Sequence, residues 1–384
     1  EDLLTILDKK IPQNEINEKI EIPDLSGSNI VVLILESFST SYMAFENKVK
    51  TSYTPFLDKL ASQSLYFKYH YANGRRSIDA PIAIFAGVPN LMEQSYITSK
   101  YSSKIKLNAL PKMLLDRNYE TAFFHGGKNG TMFFDTSAKL LGFRNYFGLN
   151  EYPHKGDFDG NWGIYDDKYF LYCIDMLSSF KKPFFASIFS LSSHNPYRIP
   201  REFKDLPHGP LPIHQSIRYA DKSLEIFFQE AKKRTWYKNT LFVITGDHSE
   251  DIEEEEFKDQ QGIYRVPLVF FHGGEKIQAQ TIRKVAQHTD IKYTIADMLN
   301  LPLEKSYLSN SLLSAVGGKA INQQGNNWWI MYDNFLVKKD PNDKVNLSTG
   351  LKLIDESSTK DLLKNKILAT HQYYNSSLIK GSFR

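Results

Sequence analysis

Cysteine is almost missing from this 384-residue chain, where Cys173 stands alone. One thiol excludes an intramolecular disulfide and any metal site built on cysteine spacing. Its setting, Tyr169-Phe-Leu-Tyr-Cys-Ile-Asp-Met-Leu177, predicts a helical apolar face with the thiol in the core. Long hydrophobic runs are also missing: no stretch reaches the roughly 18 apolar residues of a membrane-crossing helix. Neither sign of charge dominates, with 47 basic against 44 acidic residues and a net charge of +3. Without a basic stripe, nucleic acid is excluded as a partner. There is no internal repeat and no low-complexity tract. The chain opens on Glu rather than Met and shows no signal peptide, so the expectation is a soluble piece of a longer protein.

What the chain does have is core-forming material: 41% hydrophobic residues, with 26 Phe and 22 Tyr. Asn29-Ile-Val-Val-Leu-Ile-Leu-Glu36 is the continuous aliphatic run of a strand buried on both faces. Further strands are predicted at Ser64–Tyr71, Glu120–His125, Pro183–Leu191, Thr240–His248 and Arg265–Phe271. Helices are predicted after Thr54 with Pro55 in first position, over Pro81–Ala86, Leu107–Arg117, Leu171–Phe180, Ile217–Arg234 and Asp290–Asn300. Residues 126–170 are expected to form an irregular insertion over one face. This alternation predicts an α/β fold with a mostly parallel central sheet flanked by helices. Trp328–Lys338 predicts an antiparallel hairpin in a small C-terminal subdomain. The expected organisation is a lead-in segment over 1–27, a catalytic domain over 28–305 and the smaller subdomain over 306–384.

The chain is organised around Asn73-Gly-Arg-Arg-Ser77, which runs into the helix at Pro81. Ser77 would lie at or before a helix N-terminus, where free N–H groups favour negative charge. Read alone it is a plain N-cap serine. Two buried strands also end in metal-type ligands, at Glu36 and at Asp247-His248. In open α/β sheets, sites form beyond the carboxyl ends of the strands, where Glu36, Ser77, Asp247 and His248 could meet. A mixed oxygen and nitrogen set of that kind suits Mn²⁺, Zn²⁺ or Mg²⁺. His288 and Asp290 are read as structural, with Thr289 or Asp290 starting a helix. His125 is balanced between packing and ligation, and Trp162 between core and cleft.

In this order, Glu36, Asn73-Gly-Arg-Arg-Ser77, Ser193-His-Asn-Pro196 and Gly246-Asp-His248 resemble the alkaline phosphatase and sulfatase superfamily. Within it the likeness is to the branch of lipoteichoic acid synthase-like phosphoglycerol transferases. Tyr53-Thr-Pro-Phe-Leu-Asp58, Phe124-His-Gly-Gly127, Asp159–Asp166, Arg218-Tyr-Ala-Asp221 and Tyr264-Arg-Val-Pro-Leu268 support it. The resemblance covers roughly residues 28–305. It implies one divalent ion, Mn²⁺ foremost, on Glu36, Ser77, Asp247 and His248, with Ser77 as the nucleophile of a covalent intermediate. His194 and Arg76 would serve substrate and leaving group. The implied reaction moves a phospholipid headgroup to a glycan or lipid acceptor, at the extracytoplasmic face of a bacterial inner membrane, periplasmic or extracellular. A membrane domain outside this chain is part of that picture. Alternatives on the same site are phosphoethanolamine transfer, phosphodiester or phosphomonoester hydrolysis, and non-catalytic lipid sensing. Two departures stand out. Met132-Phe133-Phe134 replaces the Trp and Arg of the headgroup insertion, and Ser77-Ile-Asp-Ala-Pro81 does not follow the sulfatase Cys/Ser-x-Pro-x-Arg pattern.

Overall fold

The computed structural model describes residues 2–11, 19–349 and 357–383. Part of the expected lead-in segment, residues 12–18, therefore lies outside the described residues. A short helix α1 (Leu3–Asp8) precedes β1 (Asn29–Leu35), α2 (Pro55–Ser62), β2 (Leu65–Tyr71) and α3 (Ala80–Ala86). Then come α4 (Leu110–Leu115), β3 (Glu120–His125), α5 (Phe134–Leu141), β4 (Asn145–Phe147), α6 (Asp166–Ser179) and β5 (Phe184–Phe189). They are followed by α7 (Ile213–Ala231), β6 (Thr240–Gly246), β7 (Leu268–His272), β8 (Gln280–Gln287) and α8 (His288–Met298). The chain ends with β9 (Lys319–Gln324), β10 (Asn327–Tyr332), β11 (Phe335–Lys339), β12 (Val345–Thr349) and α9 (Ser357–Lys380).

Eight strands form one sheet in the order β4-β3-β5-β1-β6-β7-β2-β8. Only β7 runs against its neighbours, so the mostly parallel sheet expected from the sequence is present. Successive side chains of a strand point to opposite faces, and β1 shows why an unbroken aliphatic run was needed. Ile30, Val32 and Ile34 join the core beneath α3, α4, α5 and α8, whereas Val31, Leu33 and Leu35 join the core beneath α2, α6 and α7. The C-terminal strands form a separate antiparallel sheet, β12-β11-β10-β9, which contains the expected hairpin. Ile321, Ile330 and Val337 of that sheet share the first core. Among the described residues, no helix is long and apolar enough to cross a membrane.

The structure corrects several local expectations. The insertion at 126–170 is partly regular, because α5 folds inside it and β4 extends the sheet beside β3. Strand β8 was not foreseen; Gln280-Thr-Ile-Arg-Lys is polar at an edge position and lacks a buried strand's signature. Helix α4 is shorter than Leu107–Arg117, with Pro111 in its first turn. Helices α6 and α7 begin earlier than their apolar periodicity indicated. Thr54 does not cap α2; its hydroxyl donates to Tyr42 O at 3.3 Å. The cap comes from α7, where Asp221 accepts the N–H groups of Phe56 (2.8 Å) and Leu57 (2.9 Å). Helix α8 starts at His288 with Gln287 as N-cap, in a capping box closed by Asp290.

Candidate metal centre

Register brings the acids together. β1 lies between β5 and β6, and Leu35 pairs with Gly246, so the next residues on the two strands are Glu36 and Asp247. Asp247 N–H donates to Leu35 O at 3.1 Å, carrying the ladder one step past the strands. Gly246 permits the approach, since a Cβ there would fall 2.3 Å from Phe38 O. The chain leaving β2 reaches the same place. Asn73 is buried, and its side-chain NH₂ donates to Gln287 Oε1 and Ile321 O, both at 2.8 Å. Its Oδ1 accepts the N–H of Thr289 at 3.1 Å. The amide thus ties the turn before Ser77 to α8 and β9. Ser77 then heads a 3₁₀ turn leading into α3.

Glu36, Ser77, Asp247 and His248 are all buried. Ser77 Oγ donates to Glu36 Oε2 at 3.0 Å and lies 3.2 Å from His248 Nε2. His248 Nε2 is 3.3 Å from Asp247 Oδ2 and 3.6 Å from Glu36 Oε1. One ligand atom each from Glu36, Asp247 and His248 falls within 4.8 Å of the others. The four residues named from the sequence therefore converge.

The donor set fits a divalent cation. Asp247 Oδ2 is buried with no hydrogen-bond partner among the described residues, although Oδ1 accepts the N–H groups of Ser37 and His248 at 2.7 Å each. Burial first, and Glu36 second, push the Asp247 carboxyl up to about 8, against the pull of His248. Burial disfavours a charged His248 ring, yet Asp247 and Glu36 outweigh it and raise its pKa. Two carboxylates sharing a dry pocket with one ring are a charge arrangement that a cation relieves. His248 Nδ1 lies 3.2 Å from Ser249 O, which turns Nε2 toward the cluster as a ligating nitrogen requires.

Sequence reasoning passed over the residues that hold Glu36. Ser37 takes a left-handed backbone (φ 59°) and donates its hydroxyl to Glu36 Oε1 at 2.8 Å. Ser190 Oγ accepts Glu36 N–H at 2.8 Å, and Ser193 Oγ donates to Glu36 O at 2.5 Å. Hydroxyls clustered just past two strand ends were the available signal.

The other site candidates lie around this centre. His194 follows Ser193 in the same loop; its ring is 4.4 Å from that of Trp162, whose indole N–H donates to Asn195 O at 2.7 Å. His125 closes β3, packed 4.7 Å from Phe134. Burial and then His194 hold it down to about 3, so the ring is neutral. A Cβ on Gly127 would fall 2.5 Å from that ring, which is why glycine follows there. Arg76 is engaged: Nε meets Asp79 Oδ2 at 2.9 Å and a terminal nitrogen donates to Glu93 O at 2.9 Å. The Met132-Phe133-Phe134 stretch divides. Phe134 is buried, Phe133 is 50% exposed, and the turn containing Met132 lies against the Ser77 turn. Met132 and Phe133 both adopt positive φ, a costly backbone for side chains of that size. His288 and Asp290 are structural, as expected. His288 Nε2 sits 2.8 Å from Gly246 O, and Asp290 accepts the N–H groups of Gln287 and Asn310.

With this geometry in place, three comparisons bear on the chain. The family model described as Sulfatase matches residues 28–301. Lipoteichoic acid synthase 2 of Bacillus subtilis is 26% identical over 324 residues, covering 78% of this chain and 48% of that protein. Lipoteichoic acid synthase 1 of Bacillus subtilis is 28% identical over 274 residues, covering 65% of this chain and 42% of that protein. The chain thus spans about half the length of the curated relatives it matches. A lipoteichoic acid synthase from Listeria monocytogenes superposes with a TM-score of 0.81 at 18% identity, covering 100% of this chain and 98% of that one. An alkaline phosphatase superfamily protein from Vibrio parahaemolyticus gives 0.80 at 22% identity, covering 98% and 97%.

Proposed function

The chain belongs to the sulfatase family, and from that premise we propose that it is the catalytic portion of a metal-dependent phosphotransferase. Its donor is a phospholipid headgroup of the phosphoglycerol type, and its acceptor is a glycan or lipid hydroxyl. The observation that carries this reading is the convergence of Ser77 Oγ with Glu36, Asp247 and His248 at one end of the sheet. The named activity of the relatives in Bacillus subtilis supports the choice of phosphoglycerol.

Glu36, Asp247 and His248 would hold one divalent ion, Mn²⁺ first and Zn²⁺ or Mg²⁺ as alternatives, with Ser77 Oγ as the fourth ligand. Bound there, the ion supplies a lowered pKa for the hydroxyl and charge stabilisation for a phosphoryl oxygen. Ser77 Oγ attacks the phosphorus, its proton already directed at Glu36 Oε2. The bond from phosphorus to the diacylglycerol oxygen breaks, and His194 delivers a proton to that leaving oxygen. An acceptor hydroxyl then gives its proton to His194 and attacks the phosphorus; the bond from phosphorus to Ser77 Oγ breaks, and the serine takes back its proton from Glu36. Arg76 reaches a phosphate oxygen only when its pair with Asp79 opens. The reaction belongs at the extracytoplasmic membrane face, alongside a membrane portion outside this chain.

The test is diacylglycerol release from phosphatidylglycerol and, in parallel, from phosphatidylethanolamine, each with added Mn²⁺. We expect phosphatidylglycerol to be the better donor and a phosphoglycerol adduct to map to Ser77. Preference for ethanolamine would move the headgroup assignment. Saturable lipid binding with no turnover would replace catalysis with sensing.

A further inference from the structure

Away from the metal centre, charge of the opposite sign collects around a second cavity, with one lysine buried (Lys366), one half-buried (Lys319) and the others exposed. Helix α1, the segment 305–317, strands β9 and β10 and helix α9 enclose about 460 Å³. Lys9, Lys10, Lys305, Lys319 and Lys366 line it, with Asp8 as the single acid in the lining among the described residues. Lys305 already takes that acid as an ion pair. The two deeper ammonium groups find only backbone. Lys319 Nζ donates to Tyr307 O at 2.6 Å, and Lys366 Nζ, on a residue 7% exposed, donates to Leu7 O at 2.9 Å. Among the described residues, no carboxylate lies within ion-pair distance of either.

Asp290 is the acid whose field reaches Lys319, but it is committed elsewhere. Its two oxygens accept the N–H groups of Gln287 at 3.1 Å and Asn310 at 2.9 Å. Burial first, and the repulsion of Lys366 besides, hold Lys319 down to about 8 against the pull of Asp290. Burial likewise lowers Lys366, against the pull of Asp8. Two ammonium groups close enough to repel, each with donors to spare, form a site whose charge an anion between them would relieve.

We propose that this cavity binds a phosphate-ester anion, with Lys319 and Lys366 taking the phosphoryl oxygens and Lys10 and Lys305 drawing the ligand in at the rim. A phosphoryl group suits the site because it carries at least two unesterified acceptor oxygens that share at least one negative charge. The remaining wall includes Leu7, Ile11 and Val316, the last 56% exposed, and gives the non-polar part of an ester somewhere to lie. The same chemistry is carried by a soluble phosphomonoester and by a phospholipid headgroup. No residue is shared with Glu36, Ser77, Asp247 or His248, so this site and the proposed reaction stand or fall separately.

The experiment uses the full chain treated with a chelator, which removes the metal centre from the reading. sn-Glycerol 3-phosphate is titrated calorimetrically, and flotation is compared on phosphatidylcholine vesicles with and without phosphatidylglycerol. One variant joins Lys319→Gln and Lys366→Gln; a second joins the exposed changes Lys10→Glu and Lys305→Glu, which leave the inner pair intact. At about fivefold per lysine, the first should weaken binding by about twenty-five-fold and the second by at least as much. Melting curves report folding, and the exposed pair decides the matter where the inner-pair variant fails to fold. Loss confined to the glycerol phosphate titration assigns a soluble anion; loss of vesicle flotation assigns a headgroup. Equal binding by all proteins, or no saturable binding of either probe, overturns the site.

Discussion

The candidate metal centre and the lysine cavity are both pockets lined mostly by charge of one sign, and they are built in different ways. At the first, each ligand is held by a second group: Glu36 by Ser37, Ser190 and Ser193, Asp247 by two backbone N–H groups, His248 by Ser249 O. Their ligand atoms converge within 4.8 Å. At the second, flexible lysine stems stand around some 460 Å³, and the two deep ones each rest on one carbonyl. The first construction would select by geometry, because rigid short side chains admit only a small ion. The second selects by charge class, because a long four-carbon stem follows whatever anion arrives.

Breaking the metal centre should have the largest effect. Asp247→Ala removes a ligand and leaves Glu36 facing His248 alone, so metal content and turnover should fall together. Turnover should drop on the order of 10⁵-fold. Elemental analysis beside an assay checks this, and metal content equal to that of the unaltered protein would remove Asp247 from the ligand set. Ser77→Ala separates holding the ion from using it. Three ligands remain, so metal stays largely bound, while turnover falls on the order of 10⁴-fold and the covalent adduct disappears. Turnover that survives this change would end the case for Ser77 as nucleophile.

Acidity sharpens the contrast, because the two sites respond in opposite directions. The carboxyl of Asp247 is raised from its ordinary value of 3.8 to about 8, so the folded metal-free protein binds a proton there that the unfolded chain has lost. Between those limits its contribution to stability falls as pH rises. Lys319 is lowered from 10.5 to about 8, so the unfolded chain binds the extra proton and stability rises with pH between about 8 and 10.5. Metal competes with the Asp247 proton, and affinity should fall by about tenfold per pH unit below that pKa. Metal titrations at several pH values measure the slope; a flat profile from pH about 8 down to about 6 would refute the coupling.

Asp221 provides the smallest and most local comparison. It is a buried carboxylate raised to about 7, by burial above all, yet both its oxygens are satisfied by N–H groups of α2. Asp221→Ala should cost about 1–2 kcal/mol of stability and leave metal content unchanged. A change in metal content with unaltered melting would show that α2 and α7 reach the centre in a way the cap does not explain.

Much of this was legible in the chain itself, for identifiable reasons. An aliphatic run such as Ile30–Leu35 has one stable use, as a strand covered on both faces. A carboxylate or imidazole at the end of such a strand marks the end where sites form. Glu36, Asp247 and His248 were visible as candidates on that ground, whereas Ser77, read alone an N-cap serine, gained its place from the company of the other three and the family resemblance. The edge strand β8 was not, because a polar edge lacks the apolar signature of the centre. Nor was the origin of the α2 cap, since Thr54 offers a local cap as plausible as the distant Asp221.

What the sequence determined by itself is the set of elements and the chemistry at their ends, because backbone preference and periodicity act over a few neighbouring residues. Only the tertiary structure decided which ends meet. The pairing of Leu35 with Gly246 joins Glu36 to Asp247 across 210 intervening positions, and Asn73 ties the Ser77 turn to α8 and β9. The same holds for Lys319 and Lys366, which share no periodicity and become neighbours only when β9 and α9 close one cavity. Parallel strands are joined by long crossovers that carry no mark of their partner. Partnership is settled by packing both faces of the sheet at once.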